Sequence, residues 1–466
     1  MIASIAIIAI LVVTAVAISL LGNQNTGLDG RFNDQIPVDR NITLRLVADG
    51  IAHPLRAVSP PDGSARLFIV DQVGTVWILA SNGTVLKEPF INVSGKLVTL
   101  SPSYDERGLL GFAFHPSYST NGKCYLWYTA PLDPSAPAQW DHTNVLSEYR
   151  TSADPNRADI ATERIILKVN NPSSNHNGGD ISFGPDGYLY LPLGDGGNGN
   201  DIGLGHSAIG NGQDLSNVLG KVLRIDIDQN SSLNATTTID LPDGNIAYGI
   251  PADNPFVVGP GRDEIFAYGL RNPAFATFDP DGNHRYFVGN AGQALYEGVF
   301  MIEKASNCGW PIMENGHCFD RSNANDPNAV CVRTTGYLGE PLVGPIISLP
   351  HNAFPPGGIT VIGGYVYRGS GIPEFQGGYI SGMWLANSVV SISLQNGTNW
   401  TYSSLDFTSF QDKTGAQIPG MAVPAKVLPV YLLGFGIGSD KEIYVLTSDN
   451  LGPSGSTGQV WKILPG

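Results

Sequence analysis

The sequence predicts an all-β chain, and three observations carry the prediction. Glycine (57) and proline (33) are abundant among 466 residues, while only 14% of residues are charged. Short runs of β-branched and aromatic residues are separated by Gly, Pro, Asn and Asp, the pattern of many short strands. Beyond residue 40 no long segment reads as an amphipathic helix. Length alone suggests about three domains of ~150 residues, but this composition favours one large β-domain. A unit of β-rich run, turn and β-rich run recurs in degenerate form. Radial repetition of four-stranded units leaves few open edges and defines a β-propeller. Residues 41–466 divide into six blades of about 70 residues, longer than the ~40–50 of compact blades. The expected fold is therefore a six-bladed β-propeller with long loops on one face, preceded by an N-terminal hydrophobic helix.

Residues 1–22, MIASIAIIAILVVTAVAISLLG, carry no charged side chain. About 20 apolar residues in a helix span a bilayer. No Lys or Arg precedes the run, which favours an uncleaved transmembrane anchor. Ala15-Val16-Ala17 leaves open a cleaved signal segment. Either way the remainder is exported, tethered outside the membrane or secreted. Residues 23–40 are polar and Gly/Asn-rich and read as a flexible linker. Residues 41–466 form the propeller domain. Seven Asn-X-Ser/Thr sequons, at Asn41, Asn82, Asn92, Asn230, Asn234, Asn396 and Asn399, agree with export, although loops rich in Asn, Ser and Thr also produce them by chance. Among four cysteines no CxxC spacing occurs, which argues against zinc. Cys318 and Cys331 are expected to close a loop. Cys124 and Cys308 form either a long-range pair or two buried thiols.

The repeated strands fall at 66–70 and 76–79, at 188–191 and 222–225, at 285–288 and 365–367, and at 442–446 and 460–464. Turns of the type Phe183-Gly184-Pro185-Asp186-Gly187 and Phe278-Asp279-Pro280-Asp281-Gly282 punctuate them. An early strand at 43–47 is placed to close the ring against the last one. The net charge is −15 and no Lys/Arg cluster occurs, so nucleic acid is not an expected partner. Acidity suits calcium binding and solubility equally.

The most informative stretch is Asn175-His176-Asn177-Gly178-Gly179-Asp180, running on to Leu193-Gly194-Asp195-Gly196-Gly197. It sets one histidine at a strand end, with glycines that allow close approach. Histidine alone has an unperturbed pKa near neutrality, so it can take and return a proton. Four more motifs stand out: Glu106-Arg107-Gly108-Leu109-Leu110-Gly111-Phe112-Ala113-Phe114-His115-Pro116, Gly220-Lys221-Val222-Leu223-Arg224-Ile225-Asp226, Leu270-Arg271-Asn272-Pro273, and Gly289-Asn290-Ala291-Gly292-Gln293 leading to Glu297 and Gly309-Trp310-Pro311.

As an ordered set these motifs resemble the PQQ-dependent soluble glucose and aldose sugar dehydrogenases, a family that includes hedgehog-interacting-like propellers. The resemblance covers nearly all of 43–466. It implies an aldose substrate oxidised at its anomeric carbon to a lactone, PQQ and Ca2+ as cofactors, and an external electron acceptor. His176 matches the base and Asp195 the carboxylate that orients it. Arg271 matches the arginine over the quinone oxygen, and Asn272 and Arg368 match cofactor contacts. Glu106 falls where some members have a substrate-contacting glutamine; an ion pair with Arg107 is the alternative. Ala291 and Gly292 match carbonyl ligands of the cofactor-associated calcium, and Glu297 a ligand of a structural calcium. His115 reads as a packing residue.

One departure is chemical. The glucose enzymes carry basic residues for the PQQ carboxylates where residues 385–392 here read LANSVVSI. Each carboxylate wants a charge-assisted partner. Two further readings therefore stand beside the dehydrogenase: a non-catalytic extracellular propeller binding a glycan or protein, and a calcium-dependent lactonase or esterase.

Overall fold

A computed structural model describes residues 39–228, 233–234, 247–351, 360–384, 388–421 and 423–466. The expected helix at 1–22 and the linker up to residue 38 lie outside these residues, as do 385–387. Among the described residues no helix is long and apolar enough to cross a membrane. Apart from short helical turns such as Tyr118–Asn121, those residues form strands and loops.

Four sheets have four strands each, with neighbours in chain order lying side by side; two are purely sequential antiparallel meanders, such as Leu109–Phe114, Lys123–Pro131, His142–Thr151 and Ala158–Asn171. A fifth sheet has nine strands. In it Pro54–Val58, Leu67–Asp71, Thr75–Leu79 and Ile91–Asn92 form one antiparallel run. Tyr431–Ile437, Ile443–Ser448 and Gly458–Pro465 form another, completed by Asn41–Ile51. The runs join where Pro54–Val58 lies parallel to Tyr431–Ile437. The early strand expected beside the last one is found there, with Thr43 opposite Leu464 and Arg45 opposite Lys462.

Strands such as Leu67–Asp71 and Lys221–Ile225 are buried at every position because both faces are covered. A hydrophobic cluster fills the gap between one sheet and the next: Phe68 and Phe90 meet Phe112 and Phe114 across one gap, and Phe287 and Val299 meet Tyr379 and Met383 across another. Fully burying each such side chain stabilises by ~1.5–3 kcal/mol. Of the expected cysteine pairs only Cys318 and Cys331 are bonded. Cys124 and Cys308 are free and buried, which corrects the long-range pairing. They sit in different inter-sheet clusters, so no bond can join them.

Candidate active site

A cavity of ≈720 Å3 opens where the leading strands of the sheets converge. Arg56, Leu110, Asn272, Val361 and Leu433 reach it from five such strands, and the segment 175–180 enters beside them.

The turn carrying His176 is tight. His176 itself has a left-handed backbone (φ 60°), uncommon outside glycine and enriched in His, Asn and Asp. A Cβ on Gly194 would lie 2.0 Å from the His176 carbonyl oxygen, so only glycine fits opposite. The His176 backbone N–H donates to Glu106 Oε2 at 2.8 Å. Its ring Nδ1 lies 2.6 Å from Asp195 Oδ1. Asp195 is fully buried and also accepts the Trp310 indole N–H at 2.8 Å and the Gly197 N–H at 3.1 Å. Burial disfavours its charge, but His176 and the Arg271 cation outweigh burial and hold the carboxyl below the usual carboxylate range. As a carboxylate Asp195 accepts the hydrogen bond of His176 Nδ1, which leaves Nε2 as the ring nitrogen not engaged by the pair.

Arg271 rests on neutral acceptors, Gln293 Oε1 at 3.3 Å and the Ala291 carbonyl at 3.4 Å. Among the described residues it makes no ion pair. Asn272 accepts the Gly178 N–H and donates to Glu106, both at 3.3 Å. Glu106 Oε1 takes the Tyr104 hydroxyl at 2.9 Å. The alternative pairing of Glu106 does not form: Arg107 binds Asp105 at 2.8 Å and Asp141 at 3.0 Å instead. His176, Asp195, Arg271, Asn272 and Glu106 thus meet in one place.

Arg368 does not join them. It follows the strand Thr360–Val366, whose other end supplies Thr360 and Val361 to the cavity. Its guanidinium grips Asp279 at 2.6 and 2.9 Å. Ala291, Gly292 and Glu297 do line the cavity. Glu297 Oε1 accepts the Gly292 N–H at 3.2 Å and His351 Nε2 at 2.8 Å, and Oε2 accepts the Val361 N–H at 2.9 Å. His115 packs against Asp228 and Asn121.

Several residues escaped the sequence reading. Trp310 was visible in Gly309-Trp310-Pro311, but its bond to Asp195 was not. Glu314 accepts four successive backbone N–H groups, of Gln293 to Tyr296, at 2.6–3.3 Å. Arg56 forms a buried ion pair with Asp180 in the cavity wall and sits over the Phe275 ring at 4.8 Å. No local pattern announces either contact.

Sheets converging on a cavity that holds a buried His–carboxylate pair, beside an arginine with no ion pair among the described residues, define a protein of the propeller type. The chain belongs to the glucose/sorbosone dehydrogenase family, whose model matches residues 51–413. It is 30% identical to an Arabidopsis thaliana HIPL2 protein over 92% of this chain and 64% of that protein. It is 29% identical to the Mus musculus Hedgehog-interacting protein over 91% of this chain and 52% of that protein. The chain thus spans about half to two thirds of the length of these relatives. Its fold matches apo aldose sugar dehydrogenase from Escherichia coli with a TM-score of 0.65 at 19% identity, covering 91% of this chain and all of that one. A PQQ-bound aldose sugar dehydrogenase from Streptomyces coelicolor matches with a TM-score of 0.54 at 20% identity, covering 90% and 96%.

Proposed function

We propose that this chain is a PQQ-dependent aldose dehydrogenase, and the observation that carries the reading is the His176–Asp195 pair meeting Arg271 in one cavity. His176 Nε2 would accept the proton of the anomeric hydroxyl, and Asp195 would stabilise the resulting imidazolium. When bound, PQQ supplies the acceptor for the C1 hydride, so that an aldose leaves as its lactone. The residues fit this cofactor at its quinone end: Arg271 has no carboxylate partner among the described residues and can face an oxygen that gains negative charge, with Asn272 beside it. Removing one such donor typically costs on the order of 3 kcal/mol in the transition state. Glu106 would hold a substrate hydroxyl. The donors fit calcium poorly. Glu297 and Glu314 already accept protein N–H groups, and the Ala291 and Gly292 carbonyls alone fall short of the 6–8 oxygens calcium takes; no step runs through it. Arg368 takes no part in this reading. The five sheets are proposed to form six blades, the nine-stranded sheet counting as two. The apolar stretch 1–22 supports export with a membrane anchor, and the described sequon residues Asn41, Asn82, Asn92, Asn396 and Asn399 are exposed. An external acceptor would reoxidise the cofactor.

The test is dye reduction by the full chain with PQQ, with and without calcium, across a panel of aldoses. Sugar-dependent, saturable reduction that His176→Ala abolishes supports the reading; full turnover in that variant defeats it. The non-catalytic binder is the second reading, favoured by a cavity lining in which Asp105, Glu106, Asp180 and Glu297 outnumber Arg56 and Arg271. That excess of carboxylates suits a neutral glycan better than a tricarboxylate. Glycan binding without PQQ binding would establish it. The lactonase reading needs clustered carboxylate ligands, and among the described residues no group of three or more His, Cys, Asp or Glu is placed to hold a metal.

A further inference from the structure

Behind the His176–Asp195 pair lies a second one. His206 Nδ1 is 2.6 Å from Asp201 Oδ1, and both side chains are fully buried. Asp201 also accepts the N–H groups of Asn211 at 2.7 Å and Gly212 at 2.9 Å. The Asn211 side chain then donates to the main-chain carbonyl of Asp195 at 2.8 Å. A continuous path of hydrogen bonds therefore runs from His206 through Asp201 and Asn211 to Asp195. Buried Lys221 clips the far side of this loop through the carbonyls of Asn211 at 2.5 Å and Leu219 at 2.7 Å.

The loop is held in a demanding conformation. Asn198, Asn200 and Asp201 all have left-handed backbones, with φ of 60°, 64° and 54°. Such residues persist only where their surroundings fix them. Arg321 does so by donating to the carbonyls of Asn200 (3.1 Å), Ala208 (3.0 Å) and Asp201. Gln293, the neighbour of Arg271, accepts the Asn200 N–H at 2.8 Å.

Building on the dehydrogenase reading, we propose that Asp201 and His206 form a positioning pair in series behind His176 and Asp195, holding Asp195 through Asn211 and setting the charge against which His176 works. Burial disfavours the His206 cation, but its bond to Asp201 and the charges of Asp195 and Asp201 outweigh burial and raise its pKa. The His206 cation is in turn one of the charges that hold Asp195 low. Burial and the Asp195 charge raise the Asp201 carboxyl. Lys221 faces the same two carboxylates and Asp214, and burial lowers its ammonium to about 7. A loop clamp with no electrostatic role would fix Asp195 in place yet leave the proton affinity of His176 unchanged.

His206→Asn keeps a side-chain N–H for Asp201 and cannot carry charge. With that cation gone the field at His176 becomes more negative, so His176 should bind its proton more tightly. The experiment is a pH titration of the ring nitrogens in 15N-histidine-labelled full chain, with His176→Asn used for assignment. The expected result is a rise of at least about one unit in the His176 midpoint, roughly tenfold in proton affinity, with a matching alkaline shift in the acid limb of kcat/KM. An unchanged midpoint in folded His206→Asn overturns the proposal. The wild-type titration decides alone if the variant does not fold: coupled sites share inflections, and independent single-site curves for His176 and His206 overturn it too. The titration needs no turnover. A shift without sugar oxidation leaves the coupling standing and removes the dehydrogenase reading; oxidation without a shift does the reverse.

Discussion

At the scale of the residue, the site depends on which nitrogen of His176 keeps its proton. Asp195 decides that, so Asp195→Asn should lower kcat by at least about 100-fold, the usual worth of a positioned base, while KM for the sugar changes little. Steady-state kinetics on a variant with an unchanged circular dichroism spectrum checks it. His53 offers a separate test. It lines the cavity, and burial lowers its pKa to about 4, while the Gln72 side chain and the backbone at Asn450 and Leu451 oppose the shift. The unfolded chain protonates at about 6.5, so between these values the unfolded state binds more protons and stability falls as pH falls. The loss starts near pH 6.5, is complete near pH 4, and amounts to at most about 3 kcal/mol. His53→Gln should flatten that slope in urea titrations at pH 7 and 4.5. Most of the site was legible at this scale, because His176, Asp195, Arg271 and Asn272 each sit in a short motif with a chemical reason for its residue types. Arg368 was misplaced because a strand's sequence does not say which of its ends faces the ligand. Thr360–Val366 is seven residues long, roughly 23 Å at ~3.3 Å per residue, which separates Arg368 from the cavity.

At the scale of the element, the loop 292–297 is held from outside itself. One oxygen of Glu314 collects four of its N–H groups, and Glu314 belongs to a short hairpin, Met313–Glu314 with His317–Cys318, whose end is tied to Cys331. Glu314→Gln removes the charge from those bonds and should cost about 1–3 kcal/mol, with weaker retention of any ligand that Arg271 and Gln293 contact. Chemical denaturation and ligand titration report the two effects. Replacing both Cys318 and Cys331 by Ser releases a loop of 13 residues and should cost about 3 kcal/mol, read as a lower melting temperature of the unreduced protein. The close cysteine spacing was legible, since a short loop can be closed without knowledge of the fold. The Glu314 latch was not, because a carboxylate capping a turn some twenty residues earlier leaves no local pattern. The same limit applies to the Arg56–Asp180 pair, which joins a strand to a loop segment that only the tertiary fold brings beside it.

At the scale of the whole molecule, strand positions were readable, but apart from the closure of 43–47 against the last strand their partners were not. The runs at 66–70, 222–225 and 460–464 fall on the observed Leu67–Asp71, Lys221–Ile225 and Gly458–Pro465 because alternation and turn residues are local signals. The parallel contacts in the nine-stranded sheet, Arg56 opposite Phe435 and Asn41 opposite Asp406, are separated by most of the chain and leave no such signal. They have a consequence for folding. Asn41–Ile51 inserts between Gly458–Pro465 and Asp406–Gln411, so the two ends of the described chain share one sheet. Leu44 and Ile463 face one another there with at most 1% of their surface exposed. Leu44→Ala should therefore cost about 2–5 kcal/mol, a core value for a residue near the edge of the described sequence. The loss should not stay local, because fraying Asn41–Ile51 would bare both neighbouring strands at once. Hydrogen exchange checks this directly: amides of Asn41–Ile51 and Gly458–Pro465 should exchange as one cooperative unit, with protection near that of the central strands, and Leu44→Ala should lower both sets equally. Early exchange of Asn41–Ile51 alone would show that the sheet is stable without it and that the first strand is an accessory to the fold.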